Sequence, residues 1–253
     1  MSVQACADLV RRSDPDRFRA AMAAPVAERA VLLVLYAFNL EVVKAPWVTQ
    51  EPMIAEMRLQ WWRDVIEEIA AGKPARAHEV AGPLSGIVTP QMAPVLDRMI
   101  AARRWDIYKD PFEDAAHFDA YLRETAGGLV WSAMLALKAD GAAEEAAMRW
   151  GAAAGLARYL VALPELEARG RVPLLDGRPE AIAGLASKGL TALCDGRAAL
   201  RGAPRGALIE GWMAEPTLRV IARRPECLFE GGPQFSALRV NWRLLRCGFG
   251  GVV

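Results

Sequence analysis

Metal-assisted chemistry on a helical protein needs carboxylates spaced i, i+4, because that spacing puts two oxygen ligands on one helix face. Asp64, Glu67 and Glu68 form an acidic cluster that invites a metal, and its plainer reading is a solvated helix face. The two histidines, His78 and His117, have no Ser, Cys or Asp partner at a motif spacing, so a nucleophilic site has no support. Cys6, Cys194, Cys227 and Cys247 lie far apart without a CxxC pair. That argues against zinc and for reduced, buried thiols. Lys44, Arg58, Arg63, Arg158 and Arg171 could hold a phosphate directly, since guanidinium groups suit bidentate contact. The plainer reading is solvated charge in an Arg-rich chain. The segment RLQWWRD (58–64) could line a ligand pocket. It also reads as an amphipathic face, with Leu59, Trp62 and Ile66 inward, Arg58, Gln60 and Asp64 outward, and Arg63 pairing with Glu67 at i, i+4. Trp47, Trp61, Trp62, Trp105 and Trp131 read as core, and the tail GFGGVV is no dinucleotide motif because no helix follows it.

The elements that must position these residues are helices. Strand-like alternation bounded by turn signals is scarce. The patterning predicts a first helix near Pro15–Ala23 capped by Asp14, then a long helix from about Val26 that Pro46 ends or kinks. Pro52 starts a helix to about Ala71, and residues 72–88 read as a loop. Thr89–Pro90 starts a helix to about Arg103, and Asp110–Pro111 is a further start signal. Helices near Asp114–Leu137 and Ala142–Leu163 follow, the second stopping before Pro164. Residues 170–178 read as a loop, 179–200 and 204–223 as helices, 225–233 as irregular and 234–246 as a last short helix. No repeat or low-complexity segment interrupts the pattern, which favours one domain over residues 1–253.

Composition narrows the class. At 253 residues and 53% hydrophobic, the chain has material for a sizeable core. With 31 basic and 30 acidic residues the net charge is +1, so no global field draws it to nucleic acid or a membrane. The N-terminus lacks the apolar region of a signal peptide. The longest apolar runs, Ala30–Phe38 and Gly127–Leu137, reach about half of the ~20 residues a membrane span needs. A protein without a transmembrane segment is expected.

Three segments carry a family resemblance. Tyr36–Asp64 reads YAFNLEVVKAPWVTQEPMIAEMRLQWWRD, Tyr121–Leu129 reads YLRETAGGL, and Leu156–Leu175 reads LARYLVALPELEARGRVPLL. Together they resemble the squalene/phytoene synthase family of all-helical head-to-head prenyl transferases, over roughly residues 15–245. The resemblance implies a single all-α domain of the isoprenoid-synthase type, a helical bundle around a central cavity. In that family two aspartate-rich rows hold Mg²⁺ against a diphosphate leaving group. Here the first row is occupied by Val43, Lys44 and Trp47, and the second by Ala162 and Leu166. Val43 and Trp47 cannot ligate a metal, and Lys44 inverts the charge. Glu41 and Glu165 sit beside the rows but are rotated off the required faces, by about 200° and 100°. Pro46 and Pro164 are expected to interrupt both rows.

The wording YAFNLE, EPM, RLQWWRD, TAGGL and LxALP most resembles the branch of the family that includes mitochondrial complex I assembly factor 6. Proteins of that branch act in biogenesis rather than in known prenyl transfer. The resemblance implies a protein without Mg-dependent prenyl transfer that works as a complex I assembly-type or lipid-binding factor. The alternative is an active head-to-head prenyl transferase, for which alone Mg²⁺ would be the cofactor. No catalytic or metal residue is then assigned. The candidate cavity or ligand-binding residues are Tyr36, Phe38, Arg58, Trp61, Arg63, Tyr121, Gly127, Arg158 and Arg171. The implied partners are a respiratory-complex subunit or assembly partner and an isoprenoid or lipid ligand, with no nucleic acid. The implied location is cytoplasmic, with peripheral contact at the inner membrane as an extension of it.

Overall fold

The computed structural model describes residues 2–249, and among them the regular structure is entirely helical. The main helices are α1 (Val3–Ser13), α2 (Pro15–Ala23), α3 (Val26–Lys44), α4 (Pro52–Ala70), α5 (Ala81–Ser85) and α6 (Ala93–Ala102). They continue with α7 (Ala115–Leu122), α8 (Gly128–Ala136), α9 (Glu144–Ala168), α10 (Pro179–Ala199), α11 (Arg205–Leu208), α12 (Ala214–Arg223) and α13 (Ala237–Phe249). The expected all-α architecture is what forms. α9 runs through its middle, packed against α8, α10, α12 and a single wide turn at Arg123–Gly127 that joins α7 to α8. α3 lies across from it, covered by α1 and α2.

Local chemistry explains several boundaries. Asp14 caps α2 by accepting from the Arg17 N–H at 2.9 Å, ahead of Pro15 at the first helical position. Asp114 caps α7 through the His117 N–H at 2.8 Å. The start is therefore at Asp114 and not at the Asp110–Pro111 signal. On α4, Leu59, Trp62 and Ile66 are buried while Arg58 and Gln60 are exposed, the amphipathic face that its periodicity indicates.

Other boundaries depart from the expectation. α1 precedes the expected first helix, with Cys6 and Val10 buried and Ala7 and Leu9 partly buried against the core. α5 interrupts the supposed loop at 72–88. The expected helix over 204–223 is broken into α11, a 3₁₀ turn and α12. Most consequential, α9 does not stop before Pro164 but carries it inside and continues to Ala168. A proline removes one backbone bond and crowds the carbonyl four residues back, about 3 kcal/mol. Leu160 and Leu163 are fully buried on that turn, and each contributes roughly 1.5–3 kcal/mol. Packing therefore holds the helix through the proline.

Candidate functional site

Because α9 is continuous, Gly155, Arg158 or Tyr159, Ala162 and Leu166 recur at i+3 and i+4 along one face, and Arg169 follows at its C-cap. That face forms one wall of a cavity of ≈ 500 Å³, in the size range of small-molecule sites. α3 supplies the opposite wall through Asn39, Val43 and Lys44, and Trp47 follows in the turn after it. Val43, Lys44, Trp47, Ala162 and Leu166 thus converge on the same space from two helices and the turn after α3. Pro46 ends α3 only after Lys44, so it leaves Val43 and Lys44 helical.

The charge around the cavity is organised in pairs. Lys44 bonds Glu41 at 2.5 Å, and Arg169 bonds Glu165 at 2.5 Å. Glu165 reaches the rim despite its rotation along α9, and there it is engaged by Arg169. Deeper in, Arg17 bridges Glu210 at 3.1 Å and Asp14 at 2.9 Å. Arg158 donates to the Glu210 carbonyl at 2.9 Å. Burial would raise the Asp14 pKa, but the Arg17 and Arg158 charges outweigh it and hold that carboxyl below its ordinary value. Burial, reinforced by the Arg17 charge, pulls the Arg158 guanidinium down. On the other side Arg103 donates to the Tyr121 hydroxyl at 2.8 Å and pairs with Asp106 at 3.2 Å, while Tyr121 donates to Asp106 at 3.0 Å. Burial pushes the Tyr121 phenol well above its usual range, so it stays a neutral donor. The lining as a whole carries five basic side chains, Arg17, Lys44, Arg103, Arg158 and Arg169, against two acidic ones, Asp106 and Glu165. Its apolar part includes Val43, Leu122, Ala126, Ala162 and Leu166. Among the described residues, no group of three or more His, Cys, Asp or Glu converges to hold a metal ion.

The expected site residues divide sharply. Tyr121 and Arg158 line the cavity. Tyr36 is buried behind it with Arg17 stacked on its ring at 5.7 Å, and its hydroxyl has no hydrogen-bond partner. Phe38 is core, edge-on to Trp62 at 5.3 Å. Arg58 is exposed on α4. Trp61 packs on Trp62 and His78 beneath Arg76, outside the cavity lining. Arg63 does not pair with Glu67; it forms a two-point contact with Asp97 of α6 at 2.6 and 3.0 Å, the stronger fork-to-carboxylate geometry. Gly127 lies behind the wall, where its Cα permits α9 to approach: an added Cβ would sit 2.5 Å from the Met148 carbonyl oxygen. Arg171 is buried, sandwiched between the rings of Trp47 and Trp105 at 5.0 and 4.9 Å. It donates to the carbonyls of Trp105, Asp106 and Tyr108, a structural clamp rather than an open phosphate contact. Of the cysteines, Cys194 is exposed, against the expectation of burial. Residue-by-residue reading missed Arg17, Asn39, Arg103, Asp106, Tyr159 and Arg169. Asn39, Tyr159 and Arg169 lay within the motif segments, whereas Arg17, Arg103 and Asp106 had no such signal.

An all-helical chain folded around one central cavity, with two helices facing across it, defines a fold class, and comparison with known proteins identifies it as that of the isoprenoid synthases. A crystal structure of a dehydrosqualene synthase with ligand superposes with a TM-score of 0.80 at 14% identity, covering 97% of this chain and 94% of that one. Squalene synthase HpnC from Alicyclobacillus acidocaldarius gives 0.72 at 17% identity, covering 88% and 93%. The sequence model of the squalene/phytoene synthase family matches residues 10–174, and the chain belongs to that family. Among curated proteins, the Drosophila melanogaster homolog of NADH dehydrogenase (ubiquinone) complex I assembly factor 6 is 27% identical over 180 residues, 67% of this chain and 53% of that protein. Human complex I assembly factor 6 is 29% identical over 69 residues, 27% of this chain and 21% of that protein. The chain thus spans about half of the fly relative and a fifth of the human one. No helix among the described residues is long and apolar enough to cross a membrane.

Proposed function

We propose that this protein has given up Mg-dependent prenyl transfer and keeps the family cavity as a binding site for an isoprenoid or lipid, in a respiratory complex I assembly-type role. One observation carries the reading: the two walls that meet across the cavity present Val43, Lys44, Trp47, Ala162 and Leu166. Four of these side chains offer no oxygen and the fifth is a cation, a donor set that does not suit Mg²⁺ with a diphosphate. The cavity carboxylates Asp106 and Glu165, and Glu41 beside the first row, are each committed to a base. What remains suits an amphiphile that is uncharged or singly charged. Its chain would lie along Val43, Leu122, Ala126 and Leu166, and its polar end would meet Lys44, Arg103, Tyr121 or Arg158. The resemblance to assembly factor 6 supports the cellular role.

The deciding experiment is incubation with farnesyl and geranylgeranyl diphosphate plus Mg²⁺, analysed for hydrocarbon. No squalene or phytoene is expected, and formation of either establishes the prenyl-transferase reading instead. Deletion of the gene is expected to lower assembled complex I; unchanged levels would overturn the assembly role. Native mass spectrometry is expected to show a co-purifying lipid, and its absence would refute the cavity's assigned use.

A further inference from the structure

α13 has two apolar faces, and the fold uses one of them. Val240, Leu244 and Cys247 pack inward against the core. Leu238, Trp242, Leu245 and Phe249 recur at i, i+4, i+7 and i+11 and remain 84%, 67%, 53% and 84% exposed. At 100° per residue the four fall within about 60° of arc, a continuous apolar ridge along one side of the helix. Arg239 and Arg246, both exposed, lie together on one flank of that ridge, and α13 contains no acidic residue. Arg243 plays a different part, tied to Glu215 and the Trp212 carbonyl. The ridge continues across a groove of ≈ 640 Å³ to Met22 and Val26, which are 44% and 76% exposed. Arg19 and Arg205 border that groove, and no acidic side chain lines it.

On α13 itself and along the groove the charged side chains are therefore all basic, although the whole chain carries a net charge of only +1. An anionic bilayer complements both features at once. Trp, Leu and Phe side chains enter the boundary between headgroups and acyl chains, and the arginines beside them meet phosphate. We propose that α13, with the adjoining Met22–Val26 edge, docks the protein peripherally on an anionic phospholipid surface, the helix lying in the plane of the interface. This site shares no lining residue with the central cavity, so the two readings stand or fall separately.

The test is flotation of the full chain with phosphatidylcholine vesicles made with and without phosphatidylglycerol. Binding is expected only to the vesicles with phosphatidylglycerol, and it should weaken as salt is raised. Arg239→Gln with Arg246→Gln should lower partitioning about fivefold per arginine, roughly 25-fold together. Trp242→Ser with Leu245→Ser should abolish binding while leaving the circular dichroism and melting of the wild type, because both side chains are largely solvent-exposed. Failure of the wild type to float with anionic vesicles would overturn the proposal, as would undiminished binding by the Trp242→Ser/Leu245→Ser variant. Sedimentation velocity supplies the rival outcome: a wild-type dimer that this variant splits would assign the ridge to a second copy of the chain and equally overturn lipid docking.

Discussion

Replacing Gly127 by alanine tests how the cavity wall is built. Alanine in place of glycine inside a helix ordinarily stabilises by about 0.5–1 kcal/mol, because it removes backbone freedom from the unfolded chain. Gly184 in α10 provides the reference: an added Cβ there has no neighbour within 4 Å, so Gly184→Ala should show that gain. At Gly127 the same methyl would meet the Met148 carbonyl oxygen at 2.5 Å and its carbonyl carbon and Cα at 3.1 Å. These are backbone atoms of α9, so relief requires moving a helix, and overpacking of this kind costs about 1–3 kcal/mol. The crossing leaves little room for such a shift. A Cβ on Gly151 would lie 2.8 Å from the Gly127 Cα, and one on Gly155 would lie 2.2 Å from the Ala126 Cβ. Gly127→Ala should therefore lose about 1–3 kcal/mol. The two variants should differ by roughly 1.5–4 kcal/mol, and each kcal/mol should appear as about 2–4 °C in Tm for a chain of this size. Urea unfolding followed by circular dichroism gives the difference through the midpoints at constant slope. A Gly127→Ala protein as stable as the wild type would refute the close-approach account. Loss of bound lipid at unchanged stability would instead return Gly127 to the ligand path.

Three further outcomes follow from the polar groups. Glu210→Gln should cost about 3–5 kcal/mol by leaving the buried Arg17 charge with Asp14 alone. A double-mutant cycle with Arg17→Met and Glu210→Leu should show coupling of at least about 1 kcal/mol in urea denaturation, and additive losses would contradict the pairing. Partial burial would raise Glu215, but hydrogen bonds from Arg197 and Arg243 hold it at about 2 against an ordinary 4.5. A depressed carboxylate stabilises fully above its unfolded value and loses that contribution as pH falls through the folded one. Between about pH 5 and pH 2 the wild type should thus lose stability that Glu215→Gln does not, about 1–2 kcal/mol after solvent screening of this partly exposed cluster, measured by urea titrations across that range. Burial pushes the Cys6 thiol up to about 11, whereas Cys194 is exposed. Iodoacetamide on the native protein should label Cys194 first and Cys6 only after unfolding, as read by peptide mass spectrometry.

The cavity differs from a bare apolar hole because its bases are held in place. Lys44, Arg17, Arg103 and Arg169 each face a carboxylate, which limits the field available to a highly charged ligand. An incoming diphosphate would have to displace those partners, whereas a singly charged or neutral head could share their protons without breaking the pairs. The Arg171 clamp between Trp47 and Trp105 fixes the turn after α3, so Trp47 is positioned by tertiary contacts and not by the helix it follows.

Local periodicity alone determined the helical class, the inward face of α4, and the start of α2, down to its Asp14 cap. These features depend on contacts within about four residues, and a sequence displays such contacts directly. The two facing rows were located by the family resemblance of the motif segments, since nothing in the spacing of Val43, Lys44, Trp47, Ala162 and Leu166 marks them. Tertiary structure decided the rest. Pro164 would end an isolated helix, yet the burial of Leu160 and Leu163 carries α9 past it and keeps Ala162, Leu166 and Arg169 on one wall. Arg63 had a local partner in Glu67 and took Asp97 of another helix, where two hydrogen bonds form at once. Arg17, Glu210 and Arg158 meet from three distant parts of the chain, as do Arg103 with Asp106 and Tyr121 from two. Pairs of that kind leave no spacing to recognise, since their energy comes from desolvation and geometry that exist only once the helices have packed.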